Sequence, residues 1–457
     1  MRVLLIYPNS SKEIIGWGDF GAIAEPLALE YVGTGVQMDG HDVQILDLRL
    51  HPDVLDLTLL DYGPDVVGLT GYSMHVLRDL AICRRVKELL PTCKTVVGGH
   101  HATLLPGDFL EPPVDYVVEG EGVFPFRRIL ERLGAKQPTL GIPGVWSRAN
   151  GVFEYGGPPA HFDIDRMPVS DRSLTAQDRA SYFIDWMRPI ALVRTTVGCP
   201  YRCSFCSLWQ IMDGRYHKRN IASVVEELLA INERYIFLVD DEPFVDPRRM
   251  QALAAAIGDA RIEKEYFAYC RIDSFLRDRE LMRRWREIGL RRLFIGVETI
   301  FDHELQDYNK RLKRGEIIEA YRVARELDID LFSGFIISPE YTAAEFEALV
   351  TFIEEHKVEY PSFTILTPIP GTECGASFDH VLEKQPNGRP NWNYFDLQHP
   401  VTRTRLPRDE FMQHYRDLYR VFAPRYLRFM LPDHPMFTAS LLKGLRLARE
   451  DAANRGA

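Results

Sequence analysis

The sequence predicts an α/β protein: an N-terminal doubly wound, Rossmann-like domain, then a full or partial β/α barrel, then a helical C-terminal region. Three observations predict it. Apolar strand-like runs alternate with helical stripes over residues 1–135, the alternation resumes over 186–375, and no clear strand pattern follows residue 376. At 457 residues, with 46% hydrophobic and 26% charged side chains, the chain has ordinary globular composition and enough length for several cores.

Arg2 to Tyr7 is an apolar run closed by Pro8, the pattern of a buried strand. Glu25 to Met38 reads as a helix that ends at the turn Asp39-Gly40. Strands follow at Val43 to Leu46 and Asp65 to Thr70, and Ile82, Val86, Leu89 and Leu90 then repeat at helical spacing up to Pro91. Thr95 to Val97 leads into Gly98-Gly99-His100-His101, and Asp115 to Val118 leads into Glu119-Gly120-Glu121-Gly122. These glycines fall at strand C-terminal ends, where open α/β sheets bind ligands. Residues 136–185 are rich in Pro, Gly and aromatics and read as a connector, with a small hairpin at Trp146 to Tyr155 around Asn150-Gly151.

Six strands are expected in the second unit: Ile190 to Thr195, Tyr235 to Val239, Tyr266 to Tyr269, Leu293 to Val297, Leu331 to Ile337 and Ser362 to Leu366. Val224, Val225, Leu228, Leu229 and Ile231 form a helical stripe between the first two. In such barrels chemistry sits at strand C-terminal ends. Over 376–457, Asp409 to Phe422 and Ala439 to Arg449 read as amphipathic helices. The second is basic through Lys443, Arg446 and Arg449, which suits peripheral membrane contact; a solvated helix packed on the barrel is the commoner outcome of such a pattern.

Composition excludes some classes. With 55 Lys and Arg against 65 Asp and Glu the net charge is −10, so no nucleic-acid partner is expected. No apolar run is long enough for a membrane span. The opening MRVLLIYPNS has no small-residue cleavage site and reads as a strand, not a signal peptide. Seven cysteines (Cys83, Cys93, Cys199, Cys203, Cys206, Cys270 and Cys374) are odd in number and mostly scattered, unlike a disulfide framework, so the reducing cytoplasm is the expected location.

Three of them form the chain's most informative feature, Gly198-Cys199-Pro200-Tyr201-Arg202-Cys203-Ser204-Phe205-Cys206. Three thiolates from one short loop suit a soft-metal site and fall one short of a closed four-ligand site. An iron–sulfur cluster so held keeps one iron open. Zinc is the metal alternative, with His217 the nearest fourth ligand, and three unliganded core cysteines the bland one.

Cys-x3-Cys-x-Phe-Cys after a first barrel strand resembles the radical SAM superfamily. The resemblance implies a [4Fe–4S] cluster on Cys199, Cys203 and Cys206, with S-adenosylmethionine (SAM) chelating the open iron and being cleaved reductively to a hydrogen-abstracting radical. It places SAM beside Phe205 and the carboxylates of Val239-Asp240-Asp241-Glu242-Pro243, where the family's usual Gly-Gly-Glu is replaced by Asp240, Asp241 and Glu242, so the carboxylate that meets the SAM amino group stays open. Arg271 and Glu298 match further SAM-approaching positions, with a barrel salt bridge as the alternative for each. Thr367 to Thr372 matches the loop after the last barrel strand.

The N-terminal pattern resembles the cobalamin-binding domain of cobalamin-dependent radical SAM enzymes. The matching stretches are Pro26-Leu27, Gly71-Tyr72-Ser73, Gly98-Gly99-His100-His101-Ala102-Thr103 and Glu119-Gly120-Glu121-Gly122, which implies cobalamin contacts at Tyr72, Ser73, Gly98, Gly99, His100, Ala102, Thr103, Glu119, Gly120 and Glu121. The Asp-x-His-x-x-Gly motif that supplies a lower cobalt ligand in many cobalamin domains is absent; Pro8-Asn9-Ser10-Ser11-Lys12 stands there instead. His75, His100 and His101 lie nearby, but loop histidines more often donate hydrogen bonds than ligate. A Rossmann domain for another nucleotide is the competing reading, weakened by the missing Gly-x-Gly-x-x-Gly.

The expected function is a cobalamin-dependent radical SAM methyltransferase acting on an unactivated carbon, served by an electron donor such as flavodoxin or ferredoxin. Glu25 to Glu30, Pro168 to Leu174, Trp186 to Pro189 and Ser207-Leu208-Trp209 most resemble the hopanoid methylases, which implies a small-molecule or polycyclic lipid acceptor. The tail of the cluster motif and Asp241-Glu242-Pro243 also resemble the anaerobic oxidative cyclases of tetrapyrrole biosynthesis. A non-catalytic cobalamin or redox sensor is the third reading; it lacks an evident output module.

Overall fold

The computed structural model describes residues 1–10 and 22–427. Seventeen strands occur among them. The first eight are β1 (Arg2–Tyr7), β2 (Ala22–Ile23), β3 (Asp42–Asp47), β4 (Val66–Thr70), β5 (Lys94–Gly98), β6 (Tyr116–Val118), β7 (Val145–Ala149) and β8 (Val152–Tyr155). Apart from the short β2, they form one sheet in the order β3-β1-β4-β5-β6-β7-β8. The first five of that order are parallel, and β7 and β8 run antiparallel at one edge.

The apolar run of β1 explains why this sheet is covered on both faces. Val3 and Leu5 pack with Leu29, Val36 and Phe126, whereas Leu4 and Ile6 pack with Leu59, Leu80 and Val86 on the other side. Burying such side chains contributes about 1.5–3 kcal/mol each, so helices on either face are the stable arrangement. The order reverses beside β1, and the loops after β4, β5 and β6 open at that switch point. Asn150 and Gly151 adopt φ +50° and +84° between β7 and β8, the geometry an Asn-Gly hairpin turn requires. The hairpin was expected within the connector; its hydrogen bonds instead extend the first sheet past residue 135.

The second set is β9 (Phe183–Ile184), β10 (Ile190–Val193), β11 (Thr196–Val197), β12 (His217–Lys218), β13 (Tyr235–Leu238), β14 (Glu265–Cys270), β15 (Leu290–Glu298), β16 (Asp330–Ile337) and β17 (Tyr360–Ile365). Six of these make an all-parallel sheet, β10-β13-β14-β15-β16-β17, a partial barrel with β10 and β17 as edges. Side chains alternate across it. Ala191, Val193, Ile236, Leu238, Leu293 and Ile295 face the outer helices, and Ile190, Leu192, Phe237 and Phe267 face the lumen.

A buried ionic network joins the two units. Arg172 pairs with Glu227 at 2.8 Å and with Glu25 at 3.5 Å. Arg179 bridges Glu25 and Glu233, and Arg219 pairs with Glu227. Glu30, fully buried, accepts from Thr175 Oγ1 at 2.6 Å and Ser170 Oγ at 2.7 Å. Buried charges persist only when paired in this way. The network fixes the N-terminal helix Leu27–Met38 against β10, whose Leu192 amide donates to Glu25.

In the C-terminal region the helix expected at Asp409 to Phe422 is present as Arg408–Leu427. Residues 378–401 run as turns with a short 3-10 helix at Trp392–Tyr394 and pack Val381, Trp392, Phe395 and Val401 into the N-terminal core. The expected helix at Ala439 to Arg449 lies outside the described residues. No helix among the described residues is long and apolar enough to cross a membrane.

Candidate active site

The cysteine loop begins where β10 ends. The amides of Thr195 and Thr196 donate to Asp240 Oδ1 at 2.6 and 2.5 Å, and Thr195 Oγ1 donates to Asp240 Oδ2 at 2.7 Å. These bonds stop the strand at Val193, two residues earlier than the apolar pattern suggests. The Gly198 amide donates to Asp241 Oδ2 at 2.7 Å. Gly198 itself has φ +93°, and a Cβ there would lie 2.0 Å from the Arg215 carbonyl oxygen, so only glycine fits. The loop is also held by Ser204, whose amide donates to the Tyr308 carbonyl at 3.2 Å and whose carbonyl accepts from the Glu373 amide at 3.0 Å.

Cys203 is buried, and Cys199 and Cys206 are half-buried, all as free thiols. Burial pushes Cys199 up to about 11 and Cys206 up to about 12. Thiolates at these places therefore need positive charge beside them, which bound iron supplies. Among the described residues no three His, Cys, Asp or Glu side chains converge on a single-ion site. Three thiolates on one short loop suit a cubane cluster, in which each would bind a different iron. His217 takes no part in such a site: it lies in the β11–β12 ribbon with its ring against Phe162 at 5.2 Å.

The three motif carboxylates after β13 differ in availability. Asp240 spends both oxygens on the Thr195-Thr196 turn, and Asp241 holds Gly198. Glu242 is 1% exposed; one oxygen accepts from the Arg271 amide at 2.7 Å, and buried Oε1, with the equally buried Ser274 hydroxyl as a neighbour of the carboxylate, makes no well-formed hydrogen bond. Burial pushes Glu242 up to about 7. An orphaned buried carboxylate oxygen beside the cysteine loop fits an ammonium group such as that of SAM.

Arg271 and Glu298 are both engaged. Arg271 Nη1 donates to Cys203 Sγ at 3.5 Å. Glu298, at φ +65°, pairs with Lys310 Nζ at 2.6 Å. A Cβ on Gly296 would lie 2.1 Å from Glu298 Oε1 and 2.7 Å from Lys310 Nζ, so the glycine makes room for the pair. The Phe205 ring packs edge-on against Tyr308 at 5.4 Å. Lys310 was not identified from the sequence; nothing in its local pattern marks it. Arg194 was also missed, although strand alternation from Ile190 and Leu192 aims it at the lumen side.

The cobalamin-domain loops face this site. Gly99, at φ +99°, sits so close to Thr70 and Gly71 that a Cβ would come within 2.9 Å of the Gly71 backbone. Tyr72 keeps 49% of its surface accessible, yet desolvation raises its phenol, and its ring meets His100 edge-on at 4.9 Å. Both observations follow if its open face lies in a cleft. His100 is held low by burial, and burial pushes Glu121 up to about 7. Thr103 Oγ1 accepts from the Gly120 amide at 3.0 Å, joining two of the loops. Gly371 closes the arrangement: a Cβ there would lie 2.9 Å from Leu104 and 3.5 Å from Ser207, so the cobalamin-side loop, the cysteine loop and the last barrel loop meet.

Other expected contacts have structural partners. Glu119 accepts from Trp146 Nε1 at 2.6 Å and from the Tyr155 hydroxyl at 2.8 Å. Ala102 is fully buried, and Ser73 Oγ bonds His101 Nδ1 at 3.0 Å. His101 is itself a satisfied core histidine, with Nε2 on Asp108 at 3.0 Å and its ring on Trp392. His75 is buried, pushed down to about 4, and accepts the Tyr72 amide.

Comparison with known proteins places both units in known families. Residues 193–353 match the Radical SAM superfamily, and residues 15–130 match the B12 binding domain. The chain is 33% identical to the Hopanoid C-3 methylase of Methylococcus capsulatus over 415 residues, which is 89% of this chain and 77% of the relative. It is 23% identical to the anaerobic magnesium-protoporphyrin IX monomethyl ester cyclase of Cereibacter sphaeroides, covering 94% of this chain and 72% of the relative. Among solved structures, the radical S-adenosylmethionine methyltransferase TsrM of Kitasatospora setae superposes with a TM-score of 0.65 at 20% identity, covering 85% of this chain and 80% of that one.

Proposed function

Because this chain belongs to the cobalamin-dependent radical SAM enzymes and is a C-methyltransferase by that kinship, we propose that its acceptor is an unactivated carbon of a polycyclic lipid of the hopanoid kind. The observation that carries the proposal is the lumen face of the barrel. Phe237 and Phe267 stack at 4.5 Å, Tyr269 meets Phe294 at 5.2 Å, and Phe294 stacks on Phe332 at 5.4 Å. Gly334 leaves room for Phe294, since a Cβ there would meet its ring at 2.9 Å. Tyr269, Phe294, Phe332 and Gly334 stay partly accessible although they lie on inner strands. This aromatic lining across four strands suits an apolar ring system; the cations on the same side are Arg194 and Arg292, the latter buried and neutralised by Asp185 at 2.5 Å.

In this reading Cys199, Cys203 and Cys206 would hold the [4Fe–4S] cluster, Glu242 Oε1 would accept from the SAM ammonium, and Gly99, His100 and the Gly120 backbone would border cobalamin. When bound, these cofactors together supply hydrogen-atom abstraction and a methyl group. The chain's own contribution is positional. Asp240 and Asp241 set the start of the cysteine loop, the Lys310–Glu298 pair fills the end of β15, and the Glu25–Arg172–Arg179 network fixes how far the cobalamin-side loops stand from the barrel mouth. The close approach of the loops at Gly371 would help to keep water from the reacting carbon. A low-potential electron donor such as flavodoxin would serve the cluster.

The test is anaerobic turnover of cluster- and cobalamin-loaded protein with SAM, a reductant and a hopanoid lacking the methyl group, read by mass spectrometry. A lipid product heavier by one CH2, with S-adenosylhomocysteine and 5′-deoxyadenosine both formed, is the expected result. 5′-Deoxyadenosine without S-adenosylhomocysteine would instead favour oxidative chemistry like that of the cyclase relative. Both co-products with an unchanged lipid would exclude this substrate class.

A further inference from the structure

The environment of Cys203 differs from that of the other two cysteines. Arg271 is 7% exposed, and its Nη1 lies 3.5 Å from Cys203 Sγ. The guanidinium is fixed on every side. Nη2 donates to the Lys310 carbonyl at 2.8 Å, Nε donates to Asp273 Oδ1 at 2.8 Å, and the plane lies over the Tyr201 ring at 3.8 Å. The second cation nearby, Lys310, is neutralised by Glu298. Asp273, the counter-charge to Arg271, keeps a third of its side chain in solvent, so its compensation is screened. A desolvated cation therefore donates directly to one thiol of the cysteine loop.

We propose that Arg271 is a positioning residue that raises the reduction potential of the cluster by donating to the Cys203 sulfur. The inference rests on the cluster assignment made above. Reduction by one electron, from the 2+ to the 1+ state, adds negative charge that is shared with the thiolate sulfurs. A buried guanidinium on one sulfur stabilises the reduced state more than the oxidised state, and the dry surroundings strengthen the bond. Asp273 acts in the opposite sense by offsetting the same cation. The pair thus sets how readily a low-potential donor fills the cluster before SAM is cleaved.

The experiment is a redox titration of the full chain, reconstituted anaerobically with iron and sulfide and followed by electron paramagnetic resonance, with dithionite as the electron source and no SAM. Wild type is compared with Arg271→Gln, Arg271→Lys and Asp273→Asn at matched iron content. Arg271→Gln is expected to lower the reduced-to-oxidised ratio at a fixed applied potential roughly tenfold, about 59 mV for a one-electron couple, comparable to losing one charge-assisted hydrogen bond. Arg271→Lys falls between it and wild type, and Asp273→Asn shifts the ratio the other way. An Arg271→Gln potential equal to or above wild type, or same-direction shifts in Arg271→Gln and Asp273→Asn, overturns the proposal. If Arg271→Gln assembles no cluster, the upward shift in Asp273→Asn decides. A wild-type chain that binds no iron would instead refute the cluster assignment on which the proposal stands.

Discussion

Glu242→Gln separates stability from function at the proposed SAM position. Glu242 is 1% exposed, one of its oxygens is unpartnered, and burial pushes it up from 4.5 to about 7. A folded-state value above the unfolded one means that the proton stabilises the fold. That contribution is fully present below about pH 4.5 and is lost as pH rises through about 7. The shift of about 2.5 units corresponds to about 3 kcal/mol at 1.36 kcal/mol per unit, as an upper bound. Glutamine keeps the acceptor for the Arg271 amide and removes the charge, but leaves an unpartnered NH2 where Oε1 stood, at a cost of roughly 1 kcal/mol or more. Glu242→Gln without cluster or SAM should therefore be about 1–2 kcal/mol more stable than wild type at pH 8 and about 1 kcal/mol less stable near pH 4.5. SAM affinity should fall at least tenfold as the ammonium loses its carboxylate. Urea midpoints across that pH range and equilibrium dialysis of SAM give both readings. Parallel pH profiles in the two proteins, or unchanged SAM affinity, would falsify this account.

Cys199→Ala, Cys203→Ala and Cys206→Ala should each abolish reductive SAM cleavage, measured as 5′-deoxyadenosine; full cleavage by any of them would refute the cluster assignment. Gly198→Ala places a methyl group 2.0 Å from the Arg215 carbonyl at φ +93°, so the loop must shift, and iron bound per chain after reconstitution should drop well below wild type. Phe294→Ala should weaken lipid binding about tenfold, the scale of losing one buried aromatic contact, while SAM cleavage without lipid stays at the wild-type level. Arg179→Met leaves Glu25 and Glu233 short of a partner and should destabilise the fold by about 3 kcal/mol in a urea melt, with no change in the pH dependence assigned to Glu242.

What the sequence reveals here is whatever local pattern determines. Runs such as Arg2–Tyr7 and Leu293 to Val297 are apolar and end at Pro or a charged residue, so strand order along the chain and the position of the cysteine loop follow from periodicity, whereas the start of the latter strand at Leu290, through Arg291 and the buried Arg292, does not. Asn150-Gly151 likewise announces its turn. Pairing across more than a hundred residues leaves no such trace. Thr175 reaches Glu30, Leu192 reaches Glu25, and Trp392 reaches His101, each because three-dimensional packing brings them together. The motif carboxylates show the same division. Asp240, Asp241 and Glu242 are equivalent as letters, and only the fold reveals that Asp240 uses both oxygens on Thr195 and Thr196, that Asp241 gives one oxygen to Gly198, and that Glu242 gives one to the Arg271 amide and keeps a buried oxygen without a bond. Asp-Asp-Glu can stand where a Gly-Gly-Glu is usual because the side chains of Asp240 and Asp241 turn back to brace the loop itself; in the proposed reading it is Glu242 that would meet SAM.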